Sequence, residues 1–300
     1  MNFTQCHMER LDSIRESEKS SEMSSLISAL NNTHKELIFV GYSDSEILLK
    51  ENKTPFFTES DVKVFGYTLL IYMGTTEKSH YIAVVFKNPP KVTSIKIRDV
   101  MKLATEVGDI AGYGYSLVKF NQQYSFCPRC GIQMHYAGYG THFTCGNCHN
   151  MCFPRTDPCI IVVVKHPTER KCLFVRKSIM PVNRYTCVAG FLEVGESIEK
   201  CVEREVWEEV QIHVKDVKYV TSSAYPINAA NQIMIGCEAT AINTNIDKEP
   251  GKELDEAFWV DEAQVRRAIL QSKQEKPEGL YTVPPTYIAH QLFEHFVREN

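Results

Sequence analysis

Gly190-Phe-Leu-Glu-Val-Gly-Glu196-Ser-Ile-Glu-Lys-Cys-Val-Glu-Arg204-Glu205-Val-Trp-Glu208-Glu209 is the stretch that decides how this chain is read. Gly195 permits a turn, and Ser197 is a good N-cap for a helix running from Ser197 to Val210. Ile198, Val202, Val206 and Val210 recur every four residues and give that helix one apolar stripe to bury. At 100° per residue, Glu205, Glu208 and Glu209 fall in one sector beside the stripe. Three carboxylates crowded at a core edge repel one another unless a cation sits among them. Three carboxylates are hard oxygen donors, which suit Mg²⁺ or Mn²⁺. Arg204, one turn before Glu208, is placed to pair with it and hold its orientation.

Upstream, Cys127-Pro-Arg-Cys130 and Cys145-Gly-Asn-Cys148 are two C-x-x-C pairs separated by fourteen residues. Four thiolates in two tight turns supply the closed tetrahedral shell of one structural Zn²⁺ per chain, with no position open to a substrate. His149 and Cys152 stand nearby as spare ligands. Zinc ribbons also bind nucleic acid, but the segment from Cys127 to Cys148 has one Arg and no Lys, too little to neutralise a phosphate backbone.

Around these motifs lies the composition of an ordinary globular chain: 300 residues, 43% hydrophobic and 23% charged. Thirty-three basic and 37 acidic residues leave a net charge of −4, no footprint for gripping long nucleic acid. The longest purely aliphatic run, Ile160 to Val164, is far short of the ~20 residues of a membrane span. Met1 to Ser25 has no apolar signal stretch and is rich in acid, and Arg298-Glu299-Asn300 is not a peroxisomal address. Of eleven cysteines, four are paired by spacing and seven are scattered, which fits a reducing compartment. The expected location is the cytoplasm.

Four segments are expected: a mobile arm over 1–25, a small mostly-β domain over 26–122, the zinc ribbon over 123–153, and a catalytic domain over 154–300. In the second, Leu37 to Val40, Val64 to Met73 and Tyr81 to Phe86 read as strands, and Ile97 to Gly112 as a helix. In the last, strands are predicted at Cys159–Val164, Cys172–Val175, Tyr185–Ala189, Val217–Ser222, Gln232–Thr240 and Ala257–Val260. Helices are predicted at Asp261–Gln271 and Tyr287–Arg298 as well as after Ser197. Strands and helices without a regular β-α-β beat predict an α+β fold with a mixed sheet between helices.

Gly190, Glu196, Arg204-Glu205 and Glu208-Glu209 stand at the spacing of the Nudix box, which closes on the aliphatic Ile212; Gln211 takes the place of the usual glycine. With the ribbon before it, the chain resembles the NADH pyrophosphatase family of Nudix hydrolases. Phe153-Pro-Arg-Thr-Asp-Pro158, Glu253-Leu-Asp-Glu-Ala-Phe-Trp259 and Pro284-Pro285 with Ile288-Ala289 match further family segments. The resemblance implies an α/β/α Nudix sandwich in which Glu205, Glu208, Glu209 and Glu253 hold Mg²⁺ or Mn²⁺. It implies that Glu196 and Arg204 support them, and that one glutamate relays the proton of the attacking water. Phe153 and Phe191 would stack on nicotinamide or adenine, and Ser222, Tyr225, Gln232 and Ala289 would line the nucleotide pocket. Glu256 is either a supporting residue or a surface charge. A homodimer is also implied.

The implied reaction is hydrolysis of NADH or NAD⁺ to nicotinamide mononucleotide and AMP, and the same chemistry would remove an NAD cap from RNA. One departure affects substrate choice. Relatives that prefer NADH carry Ser-Gln-Pro-Trp-Pro-Phe-Pro after the box, whereas Ser222-Ser-Ala-Tyr-Pro-Ile-Asn228 stands here. ADP-ribose, a dinucleoside polyphosphate or coenzyme A is the alternative substrate on that account. A non-catalytic ribbon module that binds RNA or protein is the alternative of a different class. The intact glutamates oppose it, because a scaffold has no need of mutually repelling charges.

Overall fold

A computed structural model describes residues 8, 23–30, 33–43, 46–225, 231–247 and 253–299. The expected arm over 1–25 and the Pro226 to Asn228 stretch therefore lie almost wholly outside the described residues. The chain divides into two compact units, one running to Thr156 and the other formed by Asp157–Tyr225 and the chain from Gln232 onward.

In the first unit a six-stranded sheet has the order β4-β5-β1-β2-β6, with β3 beside β1. The strands are β1 (Glu36–Tyr42), β2 (Ile47–Leu49), β3 (Phe56–Phe57), β4 (Tyr67–Thr75), β5 (Ser79–Phe86) and β6 (Thr93–Ile95). Helices α1 (Met23–Leu30), α2 (Glu59–Phe65) and α3 (Thr105–Gln123) accompany it. Two expectations change here. Val64 lies in α2, not in a strand, because Thr58 and Asp61 form a capping box that starts a helix ending at Gly66. Ile97 to Gly112 is not one helix: a 3₁₀ turn over Ile97–Lys102 stops at the extended Leu103, and α3 starts afresh at Thr105. Three short antiparallel strands complete this unit: β7 (His135–Ala137), β8 (His142–Thr144) and β9 (Met151–Cys152).

The second unit is built on a sheet of order β14-β15-β10-β11-β16, with β13 paired to β10. Its strands are β10 (Thr156–Lys165), β11 (Lys171–Lys177), β12 (Arg184–Tyr185), β13 (Val188–Phe191), β14 (Val214–Tyr225), β15 (Asn231–Ala241) and β16 (Leu254–Asp261). A last strand, β17 (Tyr281–Thr282), pairs with β12 in parallel, so the strand expected over Tyr185–Ala189 is split between two partners. Side-chain alternation along β10 explains the layers. Ile160, Val162 and Val164 pack with Cys201, Val202, Val206 and Val210 of α4 (Ile198–Val210). Ile161 and Val163 face the other way, into a core shared with α5 (Glu262–Gln271) and α6 (Ile288–Arg298). The unit is thus the helix–sheet–helix sandwich that was expected. Each fully buried aliphatic side chain contributes roughly 1.5–3 kcal/mol to holding α4 on the sheet.

Candidate active site and cysteine cluster

The site grows from the start of α4. Ser197 caps the helix by accepting the Lys200 N–H at 3.3 Å, and Gly195 (φ 83°) turns the chain into it. Glu196, just before the cap, accepts the Glu193 N–H at 3.0 Å and faces Arg204 two turns on. Arg204 is the hub. Its Nε and one terminal nitrogen donate to the two Glu196 oxygens at 2.8 and 2.9 Å, and the same nitrogen donates to the Phe191 carbonyl at 2.9 Å. Its other terminal nitrogen donates to Glu205 at 2.7 Å and Glu208 at 3.1 Å. This bidentate clamp holds the Glu196 carboxyl down at about 2. Glu196 and Arg204 thereby tie the loop before the helix, strand β13 and two helical carboxylates into one framework.

The carboxylates differ in environment. The Glu208 side chain is 56% exposed, whereas Glu205 is largely buried and lies over the backbone of Gly190. Glu209 is 7% exposed, and neither of its carboxylate oxygens has a hydrogen-bond partner. Burial is the main cause that pushes its carboxyl up to about 7; Lys177 opposes this, and Glu253 and Glu205 add to it. Lys177 lies 3.5 Å from Glu209 and 2.5 Å from Glu253, so one ammonium joins a carboxylate of α4 to one at the head of β16. A buried acid whose oxygens accept no hydrogen bond, balanced by one lysine at 3.5 Å and with two more acids nearby, is costly and fits a hard divalent cation, for which oxygen donors of this kind are the natural shell.

Sequence reasoning missed Lys177, and the only signal was a basic residue closing an apolar strand. Its placement depends on a bulge: Arg176 faces Glu256 across the strands, but Lys177 faces Leu254, so Asp255 is extra. Arg176 consequently holds both Asp255 (3.0 Å) and Glu256 (2.7 Å), and Tyr185 donates to Glu256 at 2.5 Å. Burial and Glu256 push the Tyr185 hydroxyl up to about 12. Glu256 is therefore a structural anchor in an Arg–Glu–Tyr network.

In the other unit, the sulfurs of Cys127, Cys130, Cys145 and Cys148 all lie within 4.8 Å of one another. Two matching turns bring them together. In one, the Gly131 N–H donates to the Cys127 carbonyl at 2.9 Å; in the other, the His149 N–H donates to the Cys145 carbonyl at 3.0 Å. Gly131 (φ 73°) and His149 (φ 55°) occupy the same left-handed position of their turns. His149 is thus a turn residue outside the cluster, as is Cys152, whose sulfur accepts from the Asn150 amide. The Ile132 N–H and the Asn147 amide draw the Cys130 thiol down to about 6. At Cys148 the Asn150 N–H is outweighed by burial and the neighbouring sulfurs, which push it to about 12. Four thiolates so placed suit a tetrahedral soft-metal site.

The remaining expected residues are dispersed. Phe153, in the first unit, is 57% exposed and stacks on His142 with ring centroids 5.2 Å apart. Phe191, at the end of β13, is 49% exposed. Ser222, whose hydroxyl lies 3.1 Å from that of Tyr219, is on β14; on the same strand Tyr225 is in register with Gln232 of β15. Gln232 is 9% exposed. Ala289 is buried in the core shared by α5 and α6, so its methyl group packs inward. Among the described residues, no helix is long and apolar enough to cross a membrane.

Residues 155–281 match the NUDIX domain. The chain is 35% identical over 223 residues to the human NAD-capped RNA hydrolase NUDT12, a match covering 72% of this chain and 46% of that protein. It is 31% identical over 265 residues to the NAD-capped RNA hydrolase NPY1 of Saccharomyces cerevisiae, covering 79% of this chain and 66% of the relative. With the NAD-capped RNA hydrolase NudC of Pectobacterium atrosepticum it shares 33% identity over 163 residues, 54% of this chain and 61% of the relative. The chain therefore spans less than two thirds of the length of each of these relatives, and about half that of the human one.

Proposed function

The chain belongs to the Nudix hydrolases, of the NADH pyrophosphatase family, and from that premise we propose that it is a metal-dependent dinucleotide pyrophosphatase. It cuts NADH or NAD⁺ between the two phosphates to give nicotinamide mononucleotide and AMP, and removes the same dinucleotide as a cap from RNA. The observation that carries the reading is Glu209, a buried carboxylate with no hydrogen-bond partner for either oxygen, whose pKa the charges of Glu253 and Glu205 help to raise.

In this reading Glu205, Glu208, Glu209 and Glu253 hold Mg²⁺ or Mn²⁺. The bound cation supplies charge neutralisation at the diphosphate and lowers the pKa of a water molecule. The chain's own residues do the rest. Arg204 fixes the orientation of Glu205 and Glu208, and Glu196 fixes Arg204. One glutamate takes a proton from the attacking water as its oxygen bonds to phosphorus, the anhydride P–O bond breaks, and the departing phosphate leaves as a monoester. Phe191 is an exposed ring on which nicotinamide or adenine stacks; Phe153, carried by the other unit and stacked on His142, is the second aromatic surface that the resemblance implies for such a base. Ser222, Tyr225, Gln232 and the segment around Ala289 line the nucleotide pocket, Ala289 through its backbone. The four cysteines hold one structural Zn²⁺. The protein works in the cytoplasm as a homodimer, to which the exposed apolar residues of the ribbon, Phe126, Ile132 and Met151, contribute.

The names of the relatives support the NAD cap as one substrate. The changed Ser222 to Asn228 segment favours a second reading, with another nucleotide conjugate in the same site. A panel decides between them. NADH, NAD⁺, NAD-capped RNA, ADP-ribose, a dinucleoside polyphosphate and coenzyme A are incubated with Mg²⁺ or Mn²⁺ and the products separated by chromatography. Preferential release of nicotinamide mononucleotide is the expected result; NADH and NAD-capped RNA turning over no better than the others discards the dinucleotide assignment.

A further inference from the structure

Lys177 stands where a cation is wanted. Its ammonium bridges Glu209 of α4 and Glu253 at the head of β16, 3.5 and 2.5 Å away. It reaches that position because the β16 bulge at Asp255 shifts the register by one residue and sets Lys177 against Leu254. The neighbouring Arg176 is fully engaged by Asp255 and Glu256, so it does not compete for Glu209 or Glu253. Lys177 is thus a positive charge, 31% exposed, serving two of the four carboxylates assigned above to the divalent ion.

We propose that Lys177 is an internal competitor of the catalytic divalent cation, setting the metal concentration at which the site fills. The inference rests on the metal-site reading of the four glutamates and adds to it a residue that opposes metal binding. A monovalent ammonium stabilises the crowded acids in the metal-free protein. A divalent ion entering the same acids meets both the loss of that ion pair and repulsion from the lysine. The lysine's flexible four-carbon stem lets it withdraw toward solvent as the ion binds. Metal affinity is thereby held below what the carboxylates alone would give.

The test is Mn²⁺ binding to the full-length, zinc-loaded protein, measured by titration calorimetry and by the electron paramagnetic resonance signal of free Mn²⁺. Lys177→Met, which keeps the stem and removes the charge, is expected to bind Mn²⁺ about tenfold more tightly than wild type. Lys177→Arg keeps a cation in place and is expected to stay within about threefold of wild type. The rise in melting temperature caused by Mn²⁺ should be larger for Lys177→Met, as linkage requires. Lys177→Gln gives the same comparison should the Met variant not fold. Binding to Lys177→Met and Lys177→Gln that is equal to or weaker than wild type overturns the role of Lys177 alone. If Glu209→Gln leaves Mn²⁺ binding unchanged, or if neither wild type nor Lys177→Met binds Mn²⁺, the metal-site reading itself falls, and the competitor with it.

Discussion

Glu205 occupies the space that a side chain on residue 190 would need: a Cβ there would stand 1.8 Å from the Glu205 carboxyl carbon and about as close to both oxygens. The two residues are fifteen positions apart in sequence and meet because β13 runs beneath α4. Gly190 is therefore required by the position of the Glu205 carboxylate, not by backbone conformation. In Gly190→Ala the methyl group displaces Glu205 and breaks its contact with Arg204. Turnover should fall about 10²-fold, as a misplacement of that size costs, and the overpacking should cost roughly 1–3 kcal/mol of stability. Steady-state assays with urea unfolding check both. A folded Gly190→Ala protein with full turnover removes Glu205 from the reaction.

Glu208 offers the opposite case. Its side chain is 56% exposed and its ion pair is with Arg204 at 3.1 Å. Exposed pairs of this kind contribute about 0–1 kcal/mol. Glu208→Gln should therefore leave the melting temperature nearly unchanged, or higher through relief of repulsion with its neighbours, while most turnover is lost. Wild-type turnover in this variant would falsify the assignment of Glu208.

How much of this was legible in sequence depends on how local each feature is. The stripe Ile198, Val202, Val206 and Val210 gave α4 correctly, because helical periodicity is a local property. The four paired cysteines likewise predicted their own convergence. The i, i+4 spacing pairs Arg204 with Glu208; its shorter bonds to Glu196 and Phe191 come from the loop folding back, which no i, i+4 rule contains. Lys177 was invisible, since its place depends on a register shift between two strands about eighty residues apart. The helix over Glu59–Phe65 was missed where Val64 and Phe65 looked strand-like, although the Thr58-x-x-Asp61 capping box was there to be read.

Gln211 shows what a departure from a motif does physically. It adopts φ 58° and ψ 30° at the end of α4, the left-handed conformation for which glycine is the usual residue. The chain compensates with the glutamine side chain, whose amide donates to the Trp207 carbonyl at 2.8 Å. Left-handed geometry costs a residue with a Cβ roughly 1–2 kcal/mol, and an exposed hydrogen bond returns about 0.5–1 kcal/mol. Gln211→Gly should accordingly stabilise the protein by about 0.5 kcal/mol without altering turnover. A lower urea midpoint in this variant would mean that the side-chain cap outweighs the backbone strain.

Cys145 is fully buried, in a small core with Phe120, Met134 and Phe143. Few other apolar residues pack there, so the zinc proposed for the four cysteines should be needed for this region to fold. Cys145→Ser should lose zinc, measured by atomic emission, and expose the segment from Cys127 to Cys148 to limited proteolysis. Stripping zinc from the wild type with a chelator should reproduce the same cleavage pattern. A metal-free Cys145→Ser protein that resists protease as wild type does would contradict the dependence.

Glu238 is the second buried acid of the unit formed by Asp157–Tyr225 and the chain from Gln232 onward, 3% exposed on β15, and unlike Glu209 it is hydrogen-bonded. His295 of α6 lies 2.9 Å from it and Lys165 of β10 3.0 Å, and both also reach Glu299. Burial opposes its ionisation, but His295 and Lys165 outweigh that and hold the carboxyl at about 2, below the ordinary 4.5. A depressed folded pKa contributes stability that is fully present above the unfolded value and is lost as pH falls through the folded one. The contribution should therefore be complete above pH 4.5 and disappear between there and pH 2. Replacing the carboxylate by an amide removes it, so Glu238→Gln should be about 2–3 kcal/mol less stable than wild type at pH 7. The difference should shrink steadily below pH 4.5. The protein's two tryptophans, Trp207 and Trp259, both lie in this unit, so their fluorescence during urea unfolding isolates the relevant transition. A gap between variant and wild type that stays constant from pH 7 to pH 3 would show that the residue acts by packing, with its charge immaterial.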